Sequence, residues 1–370
     1  MGVVKLGDVA RESRLKWTKS KQDVPIVGLE HLIPDEIRFD AYDINTDNTF
    51  SKRFVKGQVL FGRRRAYQRK AAVAEFDGIC SGDITVIEAI EGKMVPELLP
   101  FIIQTPVFFD YANRGSAGSL SPRVKWEHLA DYEFELPLLE EQKVLADKLW
   151  AAYRLKEAYK KLLVATDEMV KSQFIEMFGN CKSQGTLSSL CATFIDGDWI
   201  ESKDQSDNGI RLIQTGNVGF GFFKGREDKS RYITEETFKK LNCTEVVPGD
   251  ILISRLPDPI GRACIVPEGI GKAITAVDCT IVRLNATLLP EFLISFSKTA
   301  LYASQINKIK TGTTRLRVSR GNLGNVIIPI PPIESQHHFA AIAQLADKSK
   351  FELKQCIENI DKVIKSLINE

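Results

Sequence analysis

Two basic clusters are the residues of this chain best suited to a chemical task. Arg63, Arg64 and Arg65, with Tyr67, Arg69 and Lys70 after them, form the first; Lys308, Lys310, Arg315, Arg317 and Arg320 form the second. A guanidinium is a planar fork of donors that fits a phosphate or the edge of guanine, and an ammonium is a point charge suited to phosphate. Small hydroxyl residues sit beside both: Ser116, Ser119 and Ser121 before Arg123 and Lys125, and Thr313 and Thr314 before Arg315 and Arg317. They let a backbone approach closely and add donors and acceptors. The formal net charge of the 370-residue chain is only +2, so positive charge is gathered locally rather than spread. A single charge run reads as a solvated surface. Two runs, interleaved with hydroxyl and aromatic side chains, point to nucleic acid.

Bond-making chemistry has a weaker case. A base-holding Asp/Asn-Pro-Pro-aromatic motif fails at Asp258-Pro259-Ile260 and at Pro331-Pro332-Ile333. Gly216, Gly219 and Gly221 lack the spacing of a dinucleotide loop, and there is no Walker A sequence. Asp83 with Glu91-Gly92-Lys93 imitates a nuclease set, but Gly92 marks a turn there. His337 and His338 are neighbours on a helix start and point about 100° apart, so they cannot share a metal. The seven cysteines, at 80, 181, 191, 243, 264, 279 and 356, contain no CxxC pair. That spacing fits reduced thiols in a cytoplasm. No apolar run nears the ~18 residues of a membrane span, and the first residues have no signal-peptide core. The expectation is a cytoplasmic, non-catalytic protein without metal.

The chain also contains itself twice. Displaced by 194 positions, residues 95–142 fall on 289–336 without a gap. Pro96-Glu97 meets Pro290-Glu291, Gly118 meets Gly312, Arg123-Val124 meets Arg317-Val318, and Gln142 meets Gln336. Upstream the match loosens, as in Val55–Leu60 against Val247–Leu252, or Asp83 against Asp278. A constant scaffold carrying two diverged surfaces is the natural reading. Arg123 and Arg317 recur at one point and suit phosphate or shared structure. Residues that differ between copies, such as Ser121 and Arg315, suit base reading.

These clusters need elements to hold them. Short runs rich in Val, Ile, Phe and Tyr predict strands at Val55–Phe61, Ala71–Phe76, Ile84–Glu88 and Tyr132–Leu136, and again at Val246–Ser254, Ala263–Val266, Cys279–Leu284 and Asn325–Ile330. Residues 3–12 and 97–112 are expected to be helical. Residues 140–178 and 333–368 predict long helices free of Gly and Pro. In the last helix Phe339, Ile342, Ala346, Leu353, Ile360, Val363 and Leu367 keep a three-four alternation, and the offset transfers it to Leu145, Ala152, Leu155, Tyr159, Leu162 and Met169. Such a seam is that of a coiled coil. Short links favour an antiparallel pair. The fold expected is therefore α+β: mixed α/β domains at 1–135 and 181–330, helical spacers at 136–180 and 331–370, and a pseudo-two-fold repeat.

The repeated helix starts, Leu136-Pro137-Leu138-Leu139-Glu140-Glu141-Gln142 and Ile330-Pro331-Pro332-Ile333-Glu334-Ser335-Gln336, resemble those of type I restriction–modification specificity subunits. So do Pro25–Glu30, Ile210–Asn217 and Pro248–Arg255 with Ile260-Gly261-Arg262. The resemblance implies two target-recognition domains, each reading half of a bipartite DNA site. Helices would space the halves and dock two methyltransferase subunits, to which restriction subunits add for host defence. It adds Asn217, Arg255 and Arg262 to the candidate DNA contacts. It implies no cofactor in this chain, since S-adenosylmethionine, ATP and magnesium would belong to partner subunits. The alternative is a coiled-coil adaptor that assembles other proteins.

Overall fold

The computed structural model describes residues 2–369, and they fall in two compact units, one of residues up to 160 together with those from 355 onward, the other Lys161–Lys354. The first unit opens with β1 (Gly2–Lys5), α1 (Leu6–Val9) and β2 (Ala10–Glu12). The single helix expected over 3–12 is thus only one turn long. Val3 and Val4 are β-branched and pair with a later strand instead. Then come β3 (Ile26–Val27), β4 (Lys52–Phe54), β5 (Val59–Gly62), β6 (Ala71–Val73), β7 (Gly78–Cys80) and β8 (Ile84–Ala89). Helices α2 (Leu99–Ile103), α3 (Pro106–Arg114) and α4 (Trp126–Ala130) lead to β9 (Glu133–Leu136) and the 40-residue α5 (Leu139–Phe178). The expected helix over 97–112 is broken between α2 and α3, where Pro106 takes the first helical position and the Thr105 hydroxyl caps the Phe108 N–H at 3.2 Å.

The second unit repeats this plan. Its strands are β10 (Gln184–Thr186), β11 (Cys191–Asp196), β12 (Ile210–Ile213) and β13 (Arg231–Ile233). After α6 (Glu235–Lys240) come β14 (Ile251–Ser254), β15 (Ala263–Ile265), β16 (Ala273–Thr275) and β17 (Cys279–Leu284). Helices α7 (Pro290–Ser297), α8 (Ala300–Ile309) and α9 (Arg320–Gly324) precede β18 (Ile327–Pro329) and α10 (Ile333–Asn369). The four-stranded sheet β2-β8-β5-β6 has its counterpart in β11-β17-β14-β15, both antiparallel throughout. Parallel pairs β3–β7 and β12–β16 also correspond. The third strand of these small sheets does not: β4 joins β7, whereas β13 joins β12 on the other edge. The copies diverged in topology where they diverged in sequence.

The repeated Gln explains why the helix starts look alike. Gln142 is buried, accepts the Val95 N–H at 2.9 Å and donates to the Pro137 carbonyl at 2.9 Å. Gln336 is buried, accepts the Leu289 N–H at 2.8 Å and donates to the Pro331 and Thr287 carbonyls at 2.9 and 3.0 Å. Each amide fastens a helix start to its own domain by satisfying backbone groups that water cannot reach.

In the second unit Asp167 pairs with Lys350 at 2.8 Å, while Phe174 and Phe178 stack on Phe339 at 5.2 and 5.7 Å. Residue numbers thus fall along α10 as they rise along α5, so the two run antiparallel there. In the first unit Lys156 pairs with Asp361 at 2.6 Å, and Ile364, Leu367 and Ile368 pack on the domain core. Of the expected seam, Phe339, Ala346 and Leu353 are buried, and Leu145, Ala152, Tyr159, Ile342, Ile360 and Leu367 are half-buried. Leu155, Leu162, Met169 and Val363 are not on it; all four are about half exposed, at 46–51%. The buried side of α5 is instead Ala146, Leu149 and Tyr153, then Phe174 and Phe178. Transferring the register from α10 missed this because each end of α5 packs on its own domain core as well as on a helix. That second neighbour turns the buried face by about one residue, or 100°.

Candidate nucleic-acid interface

In the first unit the strand β5 runs into the arginine cluster. The Arg63 N–H donates to the Asp83 carbonyl at 2.9 Å, and its own carbonyl accepts the Val124 N–H at 3.0 Å. Ala117 and Arg123 exchange backbone bonds of 3.0 and 2.9 Å and close a hairpin loop. Gly118 sits in that loop at φ 119°, a conformation that strains any side chain. The Asp83 carboxylate accepts from Arg123 Nε at 2.7 Å and Nη2 at 3.3 Å, and pairs with Arg64 at 3.5 Å. Arg123's hydrogen bond, opposed by partial burial, holds the Asp83 carboxyl below the usual carboxylate range. Arg64 also donates to Ser121 Oγ at 3.0 Å, and Arg65 to the Leu120 carbonyl at 3.4 Å.

Arg69 and Lys70, which complete the first basic cluster, are also engaged. Arg69 pairs with Asp35 at 2.6 Å and lies over Phe109, and Lys70 donates to the Leu29 carbonyl at 2.7 Å. Ser116 donates to the Ala112 carbonyl at 3.0 Å. Tyr67, Ser119 and Lys125 are exposed.

The second unit rebuilds the same backbone. The Arg255 N–H donates to the Asp278 carbonyl at 2.8 Å, and the Arg255 carbonyl accepts the Val318 N–H at 3.2 Å. Thr311 and Arg317 exchange bonds of 2.9 Å each, with Gly312 at φ 104°. Here the charges differ. Arg315, Arg317 and Arg320 are exposed, as are Thr313 and Thr314, and among the described residues the three arginines form no ion pair. Lys310 pairs with Asp258 at 2.6 Å. The Arg255 guanidinium points inward, to the Val277 and Val318 carbonyls at 2.5 and 3.3 Å and to Asp196 at 3.3 Å. Asn217 is buried, accepts the Gln214 N–H at 2.9 Å and donates to the Lys224 and Gly225 carbonyls. Both side chains shape the surface from beneath. Arg262 donates to Pro259 and to Ser254 Oγ at 2.9 and 3.0 Å, and lines a concavity with Gln214, Thr215, Gly216, Arg226 and Asp278.

Gln214 and Arg226 were missed as candidates, although Gln214-Thr215-Gly216 lies in the stretch that carries the resemblance. Trp199, 72% exposed, was missed as well; a lone Trp in a polar loop is its only signal.

Glu30, His31 and Asp43 bring ligand-type atoms within 4.8 Å of one another. His31 Nδ1 accepts the Gly28 N–H at 2.9 Å, so the neutral ring carries its proton on Nε2, toward Asp43 at 3.7 Å. A cation on Nε2 would have to displace that proton, and the trio is better described as a His–carboxylate contact.

Residues 185–362 match the family model of the type I restriction modification DNA specificity domain. A curated relative, the type I restriction enzyme EcoDI specificity subunit of Escherichia coli, is 29% identical over 89 residues. That match spans 24% of this chain and 19% of the relative's length. A solved structure described as the structural basis of complex assembly and conformational transition of the type I R-M system shares the fold with TM-score 0.60 and 18% identity. It covers 100% of this chain and 96% of its own. The type I restriction–modification S subunit from M. genitalium gives TM-score 0.59 at 11% identity, over 99% of this chain and 94% of its own. The resemblance to specificity subunits is borne out. The matched specificity domain includes the 311–317 loop, and the hydrogen-bond frame around that loop recurs in the first unit.

Proposed function

We propose that the chain is the DNA sequence-specificity subunit of a type I restriction–modification enzyme. Each unit reads one half of a bipartite double-stranded site. The observation that carries this is the hairpin loop built twice on one backbone frame, at 117–123 and 311–317, with different side chains at its tip. In the second unit Arg315, Arg317 and Arg320 meet phosphates or bases directly. In the first, Tyr67, Ser119, Lys125 and the outer edges of Arg64, Arg65 and Arg123 do so.

The paired helices act as a coiled-coil spacer between half-sites and give the chain an approximate two-fold repeat. Leu155, Leu162 and Met169 on α5, and Leu345, Phe351 and Val363 on α10, are exposed apolar side chains. They support docking of two methyltransferase subunits there, with restriction subunits added to that core. The chain is non-catalytic in this reading, and S-adenosylmethionine, ATP and magnesium act in its partners. It works in the cytoplasm; no helix among the described residues is long and apolar enough to cross a membrane.

Methylome sequencing of the host, with the gene intact and deleted, tests the proposal. Loss of methylation at one interrupted adenine-containing motif is the expected result. An unchanged methylome in a host whose methyltransferase genes are expressed would favour the adaptor reading.

A further inference from the structure

The repeat provides an internal control for a cavity of ≈ 740 Å³ in the second unit, where Val170, Phe174 and Ile294 form an apolar wall. Ser295, Lys298, Gln344 and Asp347 also line it. The offset of 194 pairs these four with Phe101, Gln104, Trp150 and Tyr153 of the first unit. There the chain fills its own space. Trp150 packs edge-on to Phe101 at 5.0 Å and to Tyr153 at 5.7 Å, and its Nε1 donates to the Glu97 carbonyl at 2.9 Å. Arg38 lies 4.8 Å over the Trp150 ring. Glu36 accepts from Tyr153 at 3.4 Å and from Lys160 at 2.5 Å. Gln104 spends its amide on the Glu36 and Ala71 carbonyls.

In the second unit three aromatic rings have become Ser295, Gln344 and Asp347, and Gln104 has become Lys298. Lys350 is neutralised by Asp167 and Asp347 at 2.8 and 2.6 Å, and Lys171 by Glu168 at 2.7 Å. Among the described residues the Lys298 ammonium has no hydrogen bond or ion pair. It lies beneath Gly221, where an added Cβ would come 2.0 Å from Lys298 Cε. Burial pushes its pKa down, against the pull of Asp347. A half-buried cation with no direct hydrogen-bond or ion-pair partner is costly, and the place that the Trp150 ring fills in the first unit holds no ring here. One occupant that brings a ring and a carboxylate removes both deficits.

We propose that this cavity is a docking site for a segment of a partner protein in which an aromatic residue adjoins Asp or Glu. The ring takes the place that Trp150 takes in the first unit, against Val170, Phe174 and Ile294. The carboxylate pairs with Lys298, as Glu36 pairs with Lys160. Because the counterpart in the first unit is already filled, the chain takes one such segment and not two. Nothing in this inference depends on DNA reading.

The test uses the full chain and a labelled peptide, Gly-Ser-Trp-Glu-Ser-Gly, with versions carrying Ala for Trp or Gln for Glu. Fluorescence anisotropy should show one saturable site with Kd on the order of 100 µM, a range set by the few contacts of a short flexible peptide. Each altered peptide should bind about tenfold more weakly or worse, a loss of ~1.4 kcal/mol. Lys298→Gln, which installs the residue of the first unit, should erase the preference for Glu over Gln. Gln344→Trp, which refills the space, should abolish binding while thermal unfolding stays at or above the wild-type midpoint. Should Gln344→Trp fail to fold, the Lys298→Gln result decides alone. No saturable binding up to about 1 mM, or a Glu preference that survives Lys298→Gln, would overturn the proposal. Equally tight binding of free indole-3-acetate would overturn it too, in favour of a small aromatic acid.

Discussion

In the first unit Asp83 receives two guanidiniums, those of Arg64 and Arg123; in the second, the corresponding Asp278 forms no ion pair among the described residues, and Arg315 and Arg317 stand exposed. The backbone around both loops is nearly bond-for-bond the same. Residues shared at an offset of 194 therefore share a backbone role, while the electrostatic role is assigned by a neighbour far away in sequence. Arg123 must release or share Asp83 to meet a phosphate. Arg317 has nothing to release.

The largest effect should come from exchanging one side of this comparison entirely. Replacing residues 1–135 with the first domain of another family member should change one half-site in the methylome and leave the other. A specific site is typically bound ~10³-fold or more tighter than random DNA, so methylation at the old motif should vanish. A change in both halves would show that the units do not read independently.

Next in size is the fastening of the helices. Gln336→Ala should cost about 2–4 kcal/mol, since it removes three hydrogen bonds, from the Leu289 N–H and to two carbonyls, each worth about 0.5–1.5 kcal/mol net. Gln142→Ala, with one bond fewer, should cost about 1 kcal/mol less. Urea unfolding followed separately for each unit measures both. Equal costs would mean that the Thr287 bond contributes nothing.

The loops themselves can then be compared by salt dependence. Arg317→Ala should lower the log–log slope of DNA affinity against salt by about 1, the signature of one lost phosphate contact. Arg123→Ala should lower it less, and Asp83→Asn should raise it by freeing two arginines. Identical slopes for the two alanine variants would erase the distinction drawn between the loops.

The smallest effect concerns acid. Arg123 holds the Asp83 carboxyl below its ordinary range, so its ion pair stabilises the fold above that range and is lost as pH falls through the lowered value. The denaturation midpoint of Asp83→Asn should lie below wild type at neutral pH and converge with it in acid. A gap that does not narrow as the pH falls to the acid limit of the fold would point to a non-ionic role for Asp83.

Much of the scaffold was legible because its signals are local. The absence of Gly and Pro marked both long helices to within a residue or so, and β-branched runs marked β5, β6, β8 and β17. The repeat predicted two domains, and each of the two units carries a four-stranded antiparallel sheet beside a three-stranded one. What stayed hidden depends on distant partners. Asp83 lies 40 residues before Arg123, and as sequence it figured only in a nuclease-like set that Gly92 argues against. Asn217 and Arg255 have the side chains of base readers, yet loop carbonyls occupy them. The face of α5 could not be transferred from α10, because Tyr153 and Phe174 answer to domain cores that periodicity does not see.

The division of the chain also orders events in time. The second unit is one continuous stretch, whereas the first needs residues 355–370 as well as 1–160. Ile364, Leu367 and Ile368 pack against a core that includes Leu149 and Tyr153. During synthesis, therefore, the domain made first is the one completed last. It leaves the ribosome with one side of its core bare and stays so while some 190 further residues emerge, about 10–40 s at typical elongation rates. Through that interval it is the part of the molecule most in need of a chaperone, and a ribosome that stalls late would release it unsealed.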